Sequence, residues 1–298
     1  MNIIEGIRKN VVSDLFATAA IQNCWPIWLD RARDIIGRQP TTQSVFHIGD
    51  NLSEIFQLTN RGGRNQDALA TGGTAWESLI TWYINLCSAQ SRVVAIKKTS
   101  SLPSPVKDAI TVNYQNYACS SESDITVIVF PDDSRFTDEN PELYTNRGSI
   151  NKRALDELVG NTFTRFEVGI IQCKTNWNEN AQIPMLWDMI YTAGRFQGRQ
   201  ISVGINNYSI KHLGVFTYAF VTVPTNRLEL YKVDSLSVGR VKNLSGGNYW
   251  GYSTRNGVAR NINEIFQNYA DGYINTNIRL TLQTALEQLN GDYSYFGV

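Results

Sequence analysis

The chain has 298 residues, of which 42% are hydrophobic, so it is long enough to bury a sizeable core and has the composition of a globular protein. Lysine and arginine together number 27, as do aspartate and glutamate, and this balance excludes a positive field over the whole surface. A nucleic-acid partner would therefore need a local basic cleft. The two histidines are too few for a histidine-rich metal site or for most catalytic triads.

The cysteines are widely spaced and show no CxxC pattern, which predicts free thiols in a reducing compartment rather than disulfides or a zinc site. They are Cys24, Cys87, Cys119 and Cys173. The N-terminus does not have the apolar stretch of a signal peptide, and no run approaches the roughly 18 apolar residues that span a bilayer. We therefore expect a cytoplasmic protein without a membrane partner.

The N-terminal region is predicted to be helical. Apolar residues recur at spacings of three and four between Ile3 and Leu15, and a second helical pattern covers residues 25–36. We expect residues 1–60 to form a helical addition to the rest of the fold.

A glycine-rich segment, residues 60–73, follows and is predicted to be a loop. It carries Arg61, Arg64 and Asn65, which lie either in a solvated surface connection or in a loop that contacts phosphate groups. The segment does not have the GxxxxGK(S/T) spacing, so a P-loop is not supported.

Residues 74–88 are predicted to form an amphipathic helix. Its apolar face is made of Trp76, Leu79, Ile80, Tyr83 and Cys87. Glu77 lies at the edge of this face. Thr74 and Glu77 also have the spacing of a capping box, in which the glutamate bonds back to the N-cap amide.

The next segments are mostly β-like. Short strands are predicted at 92–97 and 110–114, and both are expected to precede the strand over 124–130 in one sheet. A helix is predicted near 150–159, and a further strand covers 166–174.

Beyond residue 174 the pattern predicts a helix over 183–193 and an apolar strand over 213–223. Residues 233–257 show no clear period, whereas 259–289 contain two helical patterns. The order helix, strands, helix, strand predicts an α/β fold with a central mixed β-sheet flanked by helices and with helical N- and C-terminal additions. Because no repeat or linker divides the chain, we expect a single domain over residues 1–298.

Polar residues end the strand predicted over 166–174. Alternate side chains of a strand share a face, so Gln172 and Lys174 project together while Cys173 points to the opposite face. Antiparallel pairing with the strand over 124–130 would bring Asp124 next to Gln172 and Lys174. A carboxylate, an amide oxygen and an ammonium are then expected at one edge of the sheet.

Asp124 and the triplet Gln172-Cys173-Lys174 resemble the PD-(D/E)xK signature, which forms the active site of many type II restriction endonucleases and related defence nucleases. Ser123 stands where the signature has proline. Gln172 replaces the second acid, as in the QxK variant of similar nucleases. The resemblance implies a restriction-endonuclease-like core.

The chain also contains a Pro-Asp pair, Pro131-Asp132. It lies at the opposite end of the same strand, about 23 Å from the end that Lys174 occupies. Asp124 is therefore the better candidate, and Asp132 and Asp133 are expected to open the polar turn that follows.

The resemblance implies a Mg²⁺-dependent endonuclease that hydrolyses phosphodiester bonds of double-stranded DNA, with its core at about 74–223. In this interpretation Asp124 is the bridging metal ligand, and the Gln172 amide and the Cys173 backbone carbonyl offer further oxygens. Lys174 would hold the attacking water or offset charge on the phosphate.

Glu77 has two interpretations. Similar nucleases often contribute a glutamate to the metal site from a helix that precedes the sheet, whereas the capping box gives Glu77 a structural role. Because glutamine at position 172 removes one negative charge, we expect Glu77 or Glu122 to assist in metal binding.

Three loops are candidates for contact with DNA, since arginine and asparagine make bidentate bonds to base edges. Their candidate residues are Arg61, Arg64, Asn65, Arg195, Arg199, Asn248 and Arg255. Each loop is equally open to interpretation as a solvated turn. We expect residues 224–298 to serve DNA contact or dimerisation, and a homodimer because a palindromic duplex has two-fold symmetry.

Two other functions stay open. The first is a nuclease of this type that acts in repair, junction cleavage or defence. The second is a non-catalytic binding module in which Trp250 and Tyr252 stack on bases or sugars. In that case Gln172 and Lys174 are only the polar end of a buried strand, and Asp124 caps a turn.

Overall fold

A computed structural model gives the fold over residues 1–60, 66–115, 117–120, 123–175, 201–223, 232, 234–244, 249–250 and 273–298. These residues form an α/β fold in which helices flank a mixed five-stranded sheet and a smaller antiparallel sheet. The predicted fold class is therefore confirmed. Within this part of the chain, no helix has both the length and the apolar character needed to cross a membrane.

Helices and strands occur along the whole of the described chain. In chain order the helices are α1 Ile3–Phe16, α2 Ala19–Ile36, α3 Thr42–Gln57, α4 Gln66–Cys87, α5 Ser104–Ile110, α6 Ser134–Thr137, α7 Lys152–Asn161, α8 Leu236–Leu244 and α9 Tyr273–Glu287. The strands are β1 Val93–Ile96, β2 Val112–Tyr114, β3 Tyr117–Cys119, β4 Ile125–Val129, β5 Glu167–Lys174, β6 Ile201–Val203, β7 Val215–Thr222 and β8 Tyr249–Trp250.

The helical prediction for the N-terminal region is confirmed by α1, α2 and α3. α1 also covers the edge of β1. The guanidinium of Arg8 is fully buried, and it donates to the carbonyl of Ser91 at 2.9 Å and to that of Val93 at 2.7 Å. A side chain thus satisfies carbonyls at an edge that would otherwise be open to pairing with another strand.

Two predictions about residues 60–88 are wrong. The structure continues α4 back to Gln66, so residues 66–73 are helical rather than a loop, while residues 61–65 lie outside the described part. Thr74 is consequently inside the helix, and the capping box with Glu77 does not exist. Gly72 and Gly73 each disfavour a helix by about 1 kcal/mol relative to alanine. The buried side chains that follow, such as Trp76 and Ile80 at 0% exposure, offset that cost.

The larger sheet has the order β1-β4-β5-β7-β8. β4 pairs antiparallel with both β1 and β5, whereas β7 pairs parallel with both β5 and β8. The strands predicted over 92–97, 124–130, 166–174 and 213–223 are therefore confirmed as β1, β4, β5 and β7.

β2 does not belong to this sheet, which corrects the prediction for residues 110–114. It pairs with β3 and β6 in a separate antiparallel sheet of order β3-β2-β6. The reason is that α5 intervenes after β1 and ends at Ile110, so the chain leaves β1 before the strand begins at Val112.

The two faces of the larger sheet bury different clusters. Ile171 and Cys173 of β5 pack in the cluster that includes α4, whereas Val168 and Ile170 pack in the cluster that includes α7. This alternation is the two-residue period of a strand. It places α4, with Glu77, over the face into which Cys173 points.

The helix predicted near 150–159 is confirmed as α7, and α9 corresponds to one of the two helical patterns predicted over 259–289. α8 lies in the segment that showed no clear period, so it was not predicted. The helix predicted over 183–193 lies outside the described residues.

Candidate functional site

The predicted meeting of two strand ends is present in the structure. Ile125 pairs with Ile171, which sets Asp124 opposite Gln172. The Cys173 amide donates to Asp124 Oδ2 at 2.7 Å, so the carboxylate is anchored by the backbone of the neighbouring strand. The strand pairing and this backbone bond therefore position the acid without help from another side chain.

Lys174 joins the two oxygen-bearing side chains. Its Nζ lies 3.1 Å from Gln172 Oε1 and 3.5 Å from Asp124 Oδ2. The side chains of Lys174 and Asp124 are 25% and 22% exposed, while Gln172 is 9% exposed. A carboxylate, an amide oxygen and an ammonium thus converge at a rim that solvent reaches from one side, as the sequence predicted.

Glu77, on α4, interacts electrostatically with this cluster. Burial raises the pKa of its carboxyl, Lys97 lowers it, and the charge of Asp124 raises it further, with Lys174 acting in the same direction as Lys97. These mutual effects place Glu77 within electrostatic range of both predicted catalytic residues. Its capping role is excluded by the helix boundary, and its carboxylate instead pairs with Lys97.

Lys97 was missed by sequence reasoning. It follows β1, and its Nζ lies 3.2 Å from Glu77 Oε2, with further bonds to the Thr74 carbonyl at 2.9 Å and to Ser78 Oγ at 3.0 Å. The signal was available, because Lys97 ends a buried apolar strand in the same way that Lys174 does.

Cys173 points to the face of the sheet opposite to that of Gln172 and Lys174, as predicted. The thiol is buried against the α4 side of the sheet, and burial raises its pKa well above the usual value, with Asp124 and Glu77 adding to the effect. A neutral buried thiol is not a ligand for a hard cation. What Cys173 contributes directly is the hydrogen bond from its amide to Asp124, and its carbonyl as a ligand stays a prediction.

The oxygen donors of this cluster suit a hard divalent cation, since Mg²⁺ prefers carboxylate and amide oxygens. Among the residues that the structure describes, however, no three side chains of the types His, Cys, Asp and Glu come together at a spacing that could hold a metal ion. Two carboxylates, Glu77 and Asp124, are present, so the Gln172 amide has to complete the set. The four charged groups, two acids and two lysines, sum to zero.

The Pro131-Asp132 pair is not part of this cluster. Asp133 caps α6 through the Arg135 amide at 3.1 Å, and Arg165 donates to the Asp132 carbonyl at 2.9 Å. The prediction that these aspartates open a turn is confirmed.

The predicted DNA contacts cannot be placed. They are Arg61, Arg64, Asn65, Arg195, Arg199, Asn248 and Arg255, and all lie outside the described residues, as do Glu122 and Tyr252. Trp250 belongs to β8, of which the structure describes the backbone.

Comparison of the chain with protein-family models, with curated proteins and with solved structures finds no match. The interpretation of this cluster accordingly depends on its own geometry.

Proposed function

We propose that the protein is a Mg²⁺-dependent endonuclease that cleaves double-stranded DNA in the manner of type II restriction enzymes. The observation that carries this proposal is the contact of Lys174 Nζ with Gln172 Oε1 and Asp124 Oδ2, made by two strands that are far apart in the sequence. This is the set of groups that the PD-(D/E)xK resemblance assigns to the reaction.

Each side chain has a distinct task in the proposed reaction. Asp124 and Gln172, together with Glu77 from α4, would supply the oxygens that hold Mg²⁺. When bound, the cation would offset the charge of the phosphate and help to activate water. Lys174 donates to the attacking water and holds it in line with the phosphorus. The bond from the Cys173 amide fixes Asp124, so that the acid does not have to be ordered during the reaction.

The order of elements supports the same interpretation. α4 precedes three antiparallel strands, β1, β4 and β5, and β7 then adds in parallel beside β5. This follows the helix, strands, helix, strand order of the resembling nucleases, with the second helix expected over 183–193. The proposed site lies at the rim where β4 begins and β5 ends, as the resemblance implies.

We further propose that the enzyme acts in the cytoplasm as a homodimer on a palindromic duplex. Two copies related by a two-fold axis present one site to each strand. The arginine- and asparagine-bearing loops, together with residues 224–298, would then make the contacts with DNA or with the second copy.

The test is plasmid cleavage with Mg²⁺ and with EDTA, comparing the wild type with Asp124→Asn and Lys174→Met. Asp132→Asn serves as a matched control, because it changes an aspartate at the other end of the same strand. We expect discrete bands from the wild type and the control in Mg²⁺, and none from the two site variants. A smear favours a repair or defence nuclease, and intact plasmid in every sample contradicts the proposal and favours the binding module.

A further inference from the structure

Lys97 is held by one turn of α4. Its ammonium has three hydrogens, and three acceptors lie around it: the Thr74 carbonyl at 2.9 Å, Ser78 Oγ at 3.0 Å and Glu77 Oε2 at 3.2 Å. Glu77 and Ser78 follow Thr74 by three and four residues, so both lie next to it on the helix surface. The Lys97 side chain is 19% exposed and that of Glu77 22%, so water screens this ion pair only in part.

This contact gives Glu77 a counter-ion in the absence of any metal. Asp124 has its own counter-ion in Lys174, at 3.5 Å, so each acid of the rim is matched by one lysine. A divalent cation that binds Glu77 must approach the ammonium of Lys97, and the like charges repel each other strongly at such short range.

We propose that Lys97 competes with the divalent cation for Glu77 and thereby sets how tightly the rim holds that cation. Lys97 is in this sense a positioning residue, since it acts through Glu77. The inference rests on the proposed nuclease function, because it takes Glu77 to be a ligand.

The surroundings of Lys97 allow it to leave Glu77. A cavity of about 430 Å³ lies beside it, between the last turn of α1 and the chain after β1, and Asp14 and Thr18 also line this space. The lining of this space is mainly apolar, but Asp14 provides a carboxylate on its wall for the ammonium when the cation takes its place.

A purely structural role for Lys97 makes the opposite prediction. If the lysine only fastens β1 to α4 through Thr74 and Ser78, removing its charge loosens Glu77 and weakens cation binding. If it competes with the cation, the same change tightens cation binding. The sign of the change in affinity thus separates the two roles.

The experiment is calorimetric titration of the full-length protein with Ca²⁺ in the absence of DNA, at slightly alkaline pH. Lys97→Met keeps the length and the apolar stem of the side chain but removes its charge, and we expect it to bind Ca²⁺ about tenfold more tightly or better. Lys97→Arg keeps the charge and should bind like the wild type. Lys98→Met, at the exposed neighbouring position, is the matched control and should also be unchanged.

Two further measurements separate this inference from the proposed function. Asp124→Asn should lose the Ca²⁺ heat, and thermal melting of every variant should show an intact fold. If wild-type binding depends on Asp124 but Lys97→Met is unchanged or weaker, the inference about Lys97 is wrong and the cation site stands. If no variant binds Ca²⁺, or if binding does not depend on Asp124, both the inference and the proposed cation site are wrong.

Discussion

The two ends of β4 both place an aspartate among basic side chains, but they hold it differently. At the far end Asp133 accepts two bonds from the Arg135 guanidinium, at 2.7 and 2.9 Å, and one from Arg165 at 2.8 Å. At the near end Asp124 has one long contact with Lys174, at 3.5 Å, and its short bond comes from a backbone amide.

The difference distinguishes an acid held by paired guanidinium bonds from the more loosely paired acid that we propose to bind a cation. The planar guanidinium of Arg135 occupies both oxygens of Asp133, a geometry that fixes the carboxylate. A lysine is a point charge on a flexible stem and leaves its partner more easily. A search for the Pro-Asp pair alone would have selected Asp132, at the end of the strand opposite to Lys174.

Among changes that keep Asp124 and Lys174, the largest effect is expected from Glu77→Gln, which removes one of the two carboxylates proposed to bind the cation. We expect cleavage to fall by roughly 100-fold, the order of effect of losing one electrostatic contact to a reacting centre. The measurement is the single-turnover rate of plasmid cleavage in Mg²⁺. Because Glu77 is not a helix cap, the melting temperature of the variant should match that of the wild type, and a large drop would instead indicate a structural role.

A smaller effect is expected from Gln172→Glu, which restores the acid of the more common signature. The added charge makes a neutral cluster negative, and it should therefore tighten Ca²⁺ binding by about tenfold. Cleavage should persist. Calorimetric titration measures the affinity, and a complete loss of cleavage in a folded Gln172→Glu protein would count against the assignment of this residue.

A substitution at the opposite end of β4 should lower the stability of the fold and leave cleavage unchanged. Asp133→Asn keeps an oxygen for the helix cap but removes the ion pairs, so the free energy of unfolding should fall by less than about 1 kcal/mol while cleavage is unchanged. Denaturant unfolding and the plasmid assay measure the two quantities. Loss of cleavage in this variant would break the distinction between the two ends.

The pH dependence of the same variant has a definite sign. Hydrogen bonds from Arg135, and then from Arg165, hold the pKa of the Asp133 carboxyl well below its usual range. The ionised acid therefore stabilises the folded state above its unfolded pKa of about 3.9, and this contribution is lost as the pH falls further towards the folded value. The stability difference between the wild type and Asp133→Asn should shrink progressively below about pH 4. A difference that grows in acid would contradict the pairing.

The smallest effect is expected in the reactivity of the cysteine thiols. Burial raises the pKa of Cys87 and of Cys173, so both thiols stay neutral at moderate pH and should react with a thiol reagent only after unfolding. Cys24 and Cys119 are half-buried and should react first. Mass spectrometry after brief alkylation identifies the modified residues. Rapid modification of native Cys173 would show that its thiol faces the rim and not the core.

Much of the rim was predictable from the sequence, because strands impose simple geometry. The two-residue period fixed the common face of Gln172 and Lys174, and antiparallel pairing of two apolar runs then placed Asp124 beside them. No other information was needed to bring residues 48 positions apart into contact.

Other features depend on packing that a local pattern does not contain. Two glycines suggested a loop, yet α4 continues back to Gln66, eight residues before Thr74, because burial of the helix outweighs their low propensity. Lys97 has no motif of its own, and it gains its importance only when α4 lies over the end of β1. The second sheet likewise depends on α5, which redirects the chain between β1 and β2.

The most direct test of the central claim is anomalous scattering from a crystal of the wild-type protein grown with Mn²⁺. We expect a peak at the rim, within bonding distance of Asp124 and bordered by Gln172 and Glu77. A rim without a peak, or a peak at the Asp133 end of β4, would contradict the claim that these strand ends form the metal site of a nuclease.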